Sequence, residues 1–190
     1  MAFDIQLFQF IHNLSGISSL ADWFAIAIAE YIPYLVGFFV WYLILKEHQW
    51  KRKIWAYLVL GFSLLLSRGI IVEIIHYFYN RPRPFLELGF TPMFMEASSA
   101  FPSSHALVLT TLAFLAFRLN KKAGYWLFAF AIVNGISRIY AGVHWPTDVI
   151  GGLLLAIVTF WIAEVVFPER MFSSPLPTSE SQHHEENITI

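Results

Sequence analysis

The chain has 190 residues, 57% of them hydrophobic and 13% charged, with a mean hydropathy of +0.60. Soluble domains run about 45–50% apolar and about 25% charged, so this composition excludes an ordinary soluble domain, a disordered protein and a coiled coil. A formal net charge of −1 leaves no basic footprint for nucleic acid, and the absence of cysteine excludes disulfides, thiolate metal sites and a cysteine nucleophile.

Residues 1–20 carry no Lys or Arg and so lack the n-region of a signal peptide. Phe3, Leu7, Phe10, Ile11 and Leu14 recur at helical spacing, which predicts an amphipathic helix lying at the membrane interface. Five apolar runs follow: Trp23–Leu45, Ile54–Tyr79, the short Phe101–Phe117, Gly124–Tyr140 and Thr147–Phe167. About 20 apolar residues cross a bilayer core, and aromatic residues crowd the ends of these runs as interfacial belts do. The expected fold is an all-α membrane bundle of five transmembrane helices preceded by the interfacial helix.

The basic residues cluster at Lys46–Lys53, at Arg118, Lys121 and Lys122, and at Arg170. Cytoplasmic loops are the ones enriched in Lys and Arg. That places the N-terminus outside, the C-terminus inside, and the loops 80–100 and 141–146 on the outer face. Residues 21–167 then form one membrane-embedded domain. Residues 168–190 turn to Pro, Ser, Thr, Glu and His and read as a disordered cytoplasmic tail, in which His183 and His184 are either a metal-binding pair or simply solvated.

Three polar clusters fall at the outer face. The first is Asn80-Arg81-Pro82-Arg83-Pro84-Phe85, where two prolines stiffen a segment bearing two arginines. Arginine forks suit phosphate, although the pair also suits lipid headgroups. The second is Phe101-Pro102-Ser103-Ser104-His105, a helix start with free backbone N–H groups that favour an anion, or serines that only cap it. The third runs Ser137-Arg138 to His144 and Asp148. Arg138 lies inside a span, where charge marks function or a buried pair. Asp148 follows His144 by four residues and is placed to orient the imidazole, or to act as an ordinary helix cap. Three such clusters converging at one membrane face predict a phosphate-chemistry site.

These residues resemble the motifs of the type-2 phosphatidic acid phosphatase superfamily, integral-membrane lipid phosphatases related to vanadium haloperoxidases. Its third motif, S-R-x5-H-x3-D, is matched in full by Ser137, Arg138, His144 and Asp148; its second, P-S-G-H, by Pro102-Ser103-Ser104-His105, with Ser104 replacing glycine. The first, K-x6-R-P, is matched by Arg83-Pro84, but His76 stands at the lysine position. Bacterial members resembling undecaprenyl pyrophosphate phosphatases also lack that lysine and carry P-R-P-F, as Pro82–Phe85 does here.

The resemblance implies His144 as a nucleophile forming a phosphohistidine, Asp148 as the group that orients it, and His105 as the acid for the leaving oxygen. Arg83, Arg138, Ser103 and Ser104 would hold the phosphoryl oxygens, with Arg81 or His76 standing in for the lysine. No metal or other cofactor is implied. The implied partner is a membrane lipid bearing a phosphate or diphosphate, with undecaprenyl diphosphate favoured, and the implied location is the outer side of a bacterial plasma membrane. A phosphatidylglycerophosphate or phosphatidic acid phosphatase and a lipid phosphotransferase are the alternatives, with a small transporter more remote. Three intramembrane charges are left over: Glu30, Arg68 and Glu73. An ion pair of Arg68 with Glu30 or Glu73, lining a lipid cleft, is the expectation.

Overall fold

A computed structural model describes residues 2–172, and the tail with His183 and His184 lies outside the described residues. Among the described residues the structure is helical throughout, without strands. The short helix α1 spans Ala2–His12. Two long helices, α2 (Ser19–Lys46) and α3 (Trp50–Phe78), follow it. A one-turn helix α4 covers Pro84–Leu88, and α5 (Ser104–Leu119), α6 (Lys121–Tyr140) and α7 (Pro146–Val166) complete the bundle.

The five predicted apolar runs fall on α2, α3, α5, α6 and α7 in order. Three stretches, Ser19–Lys46, Trp50–Phe78 and Pro146–Met171, are long and apolar enough to cross a membrane, while Ser104–Leu119 is a shorter apolar helix. Large apolar side chains such as Leu35, Phe38, Ile70, Ile74, Ile132, Leu154 and Trp161 point outward around the bundle. Water does not tolerate so continuous an apolar exterior, whereas lipid does. The protein is an integral membrane protein.

The short helix α5 is the centre of the bundle. Its buried residues, from Ala106 and Leu107 through Leu109–Ala113 to Leu115 and Ala116, occupy nearly every side of the helix. Val36, Val40 and Ile44 of α2, Trp55 and Val59 of α3, Leu127 and Ala131 of α6, and Phe160 and Ala163 of α7 close around it. The shortest of the five bundle helices is thus shielded by protein, as an all-round apolar helix must be.

Two π-helical stretches interrupt the long helices, Ala27–Tyr31 in α2 and Leu65–Ile71 in α3. Each contains one intramembrane charge, Glu30 in the first and Arg68 in the second. A π stretch inserts a residue and turns the two halves of a helix relative to each other by about 100°, the step of one residue.

Helix α1 packs on the bundle through one face and leaves other apolar positions on the outside. Phe8 and Asp4 are buried, whereas Phe3, Phe10 and Leu14 are exposed. Phe8 stacks with His12 and packs against Phe90 and Trp145. At the far end of the bundle, Arg52 binds Glu169 and Glu47, each at 2.8 Å. Arg118 meets Glu164 at 3.1 Å and Glu169 at 2.5 Å. This charged end lies opposite the motif loops, because α3, α5, α6 and α7 each run between the two.

Candidate active site

Arg83 stands at the N-terminus of α4 in extended backbone, with Pro84 opening the helix. Its guanidinium is buried and held on carbonyls: Nε donates to Ser98 O at 2.8 Å and Nη1 to Val143 O at 2.7 Å. The remaining edge faces Glu96 Oε2 at 2.6 Å and His144 Nε2 at 3.4 Å. Burial pushes Arg83 down to about 10, so it stays cationic at neutral pH.

His144 follows a turn that only glycine makes without strain, Gly142 at φ +84. Its ring is buried, with Nδ1 2.9 Å from Ala100 O. A carbonyl only accepts, so Nδ1 carries the proton and the lone pair resides on Nε2. The motif spacing assigns that orienting task to Asp148, yet Asp148 Oδ2 stands farther off, at 3.5 Å from Nδ1. Its oxygens are taken by Trp145 N at 2.7 Å and Arg81 Nη1 at 2.6 Å. Asp148 therefore fixes the backbone that carries His144 and supports the ring from the side. Burial first, and then the cations Arg138 and Arg83, hold His144 well below the ordinary imidazole range.

Helix α5 begins at Ser104 with Ser103 as N-cap. Ser103 N donates to Asp148 O at 3.0 Å, tying this helix start to α7. The two helices touch backbone to backbone here, since a Cβ on Gly152 would lie 2.4 Å from Ser103 O. Ser103 is fully buried with its Oγ unpartnered, while Ser104 faces the site. A cavity of about 280 Å³ is lined by Arg68, Arg83, Glu96, Ser104, His105 and His144, among others. That is close to the lower end of small-ligand pockets, about 300–1,000 Å³. From its His105 side a groove of about 190 Å³ runs past Pro33, Tyr34 and Val108. It leads to an apolar trough of about 510 Å³ along Gly37, Phe38, Trp41 and Leu112.

Arg138 is 0% exposed. Its Nη1 donates to Ala29 O at 3.1 Å, Nη2 pairs with Glu96, and Glu30 lies 3.8 Å away. The ring of Phe94 covers its guanidinium at 5.5 Å. Asn134, one turn earlier on α6, donates to Ile28 O at 2.7 Å. Carbonyls of the first π stretch and its flank are thereby bonded by side chains of α6.

Several expectations change. Glu30 pairs with Arg138 and not with Arg68, because the π stretch turns it towards α6. Arg68 pairs with Glu73, but the pair is open, with side chains 43% and 58% exposed, and not buried beneath the site. Of the two, Arg68 lines the cavity and Glu73 does not. Arg81 does not face the cavity. It is clamped between Asp148 and Asp4 and also donates to Thr147 Oγ1 at 2.7 Å. His76 is half-buried with Nε2 unpartnered and is not among the cavity-lining residues.

Two participants escaped the sequence reading. Glu96 bridges Arg83 and Arg138, and Asp4 binds Arg81 and accepts from Thr147 N at 3.1 Å and Thr147 Oγ1 at 2.6 Å. The only signal for Glu96 was an acidic residue in a loop rich in aromatics and methionine. For Asp4 it was a lone carboxylate on an otherwise apolar helix. Burial raises the Asp4 carboxyl, but the hydrogen bonds from Thr147 and Arg81 outweigh it and hold the group below its usual value.

Comparison with known proteins agrees with this geometry. The profile of the PAP2 superfamily matches residues 56–172, the stretch containing every motif residue. The chain is 30% identical to the "Bacitracin transport permease protein BcrC" of Bacillus licheniformis, over 90% of this chain and 86% of that protein. It is 30% identical to the "Undecaprenyl-diphosphatase BcrC" of Bacillus subtilis, over 80% of this chain and 78% of that protein. The crystal structure of Aquifex aeolicus LpxE superposes with a TM-score of 0.71 at 26% identity, covering 86% of this chain and 95% of that one. The chain belongs to the PAP2 superfamily.

Proposed function

We propose that this phosphatase hydrolyses a lipid diphosphate, undecaprenyl diphosphate to undecaprenyl phosphate, through a phosphohistidine on His144. One observation carries the reading: His144 presents an unprotonated Nε2 to an arginine-lined cavity that opens through His105 into an apolar groove. A headgroup fits the cavity and its hydrocarbon chain the groove. The name of the B. subtilis relative supports the diphosphate.

In the reaction, Nε2 attacks the terminal phosphorus and a P–N bond forms. The bond from that phosphorus to the bridging oxygen breaks, and His105 delivers a proton to the departing lipid phosphate. Arg83, Arg138 and the first N–H groups of α5 hold the equatorial oxygens, after Glu96 has given up its place between the arginines. Ser104 adds a hydroxyl at the cavity wall. Water then attacks the phosphohistidine with His105 as base, and orthophosphate leaves. Asp148, fixed by Arg81 and Trp145 N, keeps the nucleophile in place.

The same reading puts five spans across the membrane, with α1 on the outer surface and the Arg52–Arg118–Glu169 cluster inside. Residues 168–190 are then the cytoplasmic tail. The proposed setting is the plasma membrane of a bacterium, with the site extracytoplasmic.

The test is phosphate release by purified protein in detergent from undecaprenyl diphosphate, phosphatidylglycerophosphate, phosphatidic acid and lipid A, with EDTA present. Quenching a reaction of labelled substrate in alkaline detergent traps the intermediate, since a P–N bond survives base. Release from the diphosphate, with acid-labile label on the protein that His144→Ala abolishes, is expected. Preferred turnover of another lipid, or wild-type rates in the variant, would overturn the reading.

A further inference from the structure

Arg68 has no part in the chemistry so far, although an arginine within a span is among the costliest residues to keep there. It lines the same cavity as Arg83, His105 and His144. The π stretch Leu65–Ile71 contains it, and such single-residue insertions recur at functional sites because they re-aim a side chain. The neighbouring Ser67 is fully buried and donates to Ser63 O at 2.6 Å, so the insertion packs one residue inward while the next meets the cavity. Arg68 gives Nη1 to Glu73; among the described residues no acceptor takes its Nε or Nη2. A five-donor fork with donors left over on a cavity wall is suited to an anion.

The cavity already has its cradle for the phosphoryl group under attack. Arg83 and Arg138 both lean on Glu96, and Arg83 reaches His144 Nε2. Arg68 shares no hydrogen bond or ion pair with either arginine or with Glu96, so it forms a separate cationic position. His105 belongs to both the cavity and the groove that leads to the apolar trough. A lipid whose chain occupies the groove must place the group that bears the chain beside His105. In a diphosphate that group is the second phosphate, and it is also the leaving group. In a monophosphate it is an uncharged alcohol oxygen.

We infer that Arg68 binds the lipid-bearing phosphate of the substrate and so selects diphosphates over monophosphates. This rests on the lipid diphosphatase reading above and names the residue that gives it substrate preference. When the bond to the bridging oxygen breaks, charge builds on the departing phosphate. The guanidinium meets that charge while His105 supplies the proton. Glu73 holds the arginine in the open form and keeps it from facing lipid unpaired.

The experiment compares wild type, Arg68→Gln and Arg68→Lys on a diphosphate and a monophosphate of the same polyprenol. The readout is the ratio of the two kcat/KM values, which a general loss of folded protein does not move. Arg68→Gln should lower the ratio at least about tenfold, and Arg68→Lys should recover much of it. Where the monophosphate is too slow to rate, the inhibition constants of methylenediphosphonate and orthophosphate give the same comparison. A ratio within about twofold of wild type, with the diphosphate still turned over, overturns the role of Arg68 alone. A wild-type enzyme that prefers the monophosphate overturns the diphosphatase reading and this inference together.

Discussion

Glu96 and Arg83 form an ion pair of 2.6 Å inside the cavity, and the other oxygen of the same carboxylate pairs with Arg138. Glu96 thus occupies, with a planar anion, the position where the proposed reaction places the tetrahedral phosphoryl group. Glu96→Gln should leave both cations under-neutralised and reduce stability by about 3 kcal/mol, the low end of the usual cost of removing one partner of a buried pair. Phosphate should repair the loss. Orthophosphate should therefore raise the Tm of Glu96→Gln more than that of wild type, and inhibit it at several-fold lower concentration. Weaker phosphate binding in the variant would show that the carboxylate helps to hold the ligand.

Asp4 reaches the site through Arg81. Its carboxylate takes two hydrogen bonds from Thr147 and one from Arg81, whose other end grips Asp148. Asp4→Ala should cost about 3 kcal/mol, measured by denaturation in detergent. It should also lower kcat more than it raises KM, since Asp4 touches no substrate and acts through the placement of His144. Asp4→Asn keeps one acceptor oxygen, for Thr147 N, and should fall between wild type and Asp4→Ala. Equal loss in KM and kcat would argue against this chain of contacts.

Rate and stability respond to acid over different pH intervals. His144 is held well below the ordinary imidazole value, so the free base persists as the pH falls through about 6.5. The acid limb of kcat should therefore lie below that pH. The unfolded chain does bind a proton there, so stability should decline over the same interval. Asp4, held low, adds its own stabilisation only above about 3.8 and loses it as pH falls further. A kcat that halves near 6.5 while Tm stays flat would contradict both statements.

Gly152 lets α7 lie against the start of α5. A methyl group there would meet Ser103 O at 2.4 Å and Ala106 Cβ at 3.1 Å, and neither can swing away. Gly152→Ala should destabilise by about 1–3 kcal/mol, as overpacking does. It should cut activity further, because the helices part at Ser103 and Ser104. Gly37, with open space around it, is the control, and Gly37→Ala should be close to neutral in stability.

The long helices and motif loops were legible because apolar runs, prolines and an arginine-bearing outer loop are local signals. His144, His105 and Arg83 were placed together from topology alone, and the structure gathers them in one cavity. The partners of the charged residues were legible only in part. Depth in the membrane offers Glu30 or Glu73 to Arg68; Glu73 takes the pairing, and the π stretch of α2 turns Glu30 to Arg138 instead. Arg81 stands two residues before Arg83, and an extended backbone would put both on one side; the carboxylates of Asp4 and Asp148 draw Arg81 away from the cavity. Its partner Asp4 lies 77 residues away in sequence, beyond the reach of any spacing rule.

The first π stretch has a consequence for how the site comes together. Asn134 and Arg138 of α6 hold the carbonyls of Ile28 and Ala29. Lipid offers no substitute donor. Until α6 docks, α2 is better satisfied as an unbroken α-helix, with Glu30 turned elsewhere. Arg138, for its part, lacks the Ala29 carbonyl until α2 opens. Each helix is thus incomplete alone, and the cradle assembles in one step from two elements about 100 residues apart, so partly packed forms of the bundle offer no arginine cradle to headgroups passing in the bilayer.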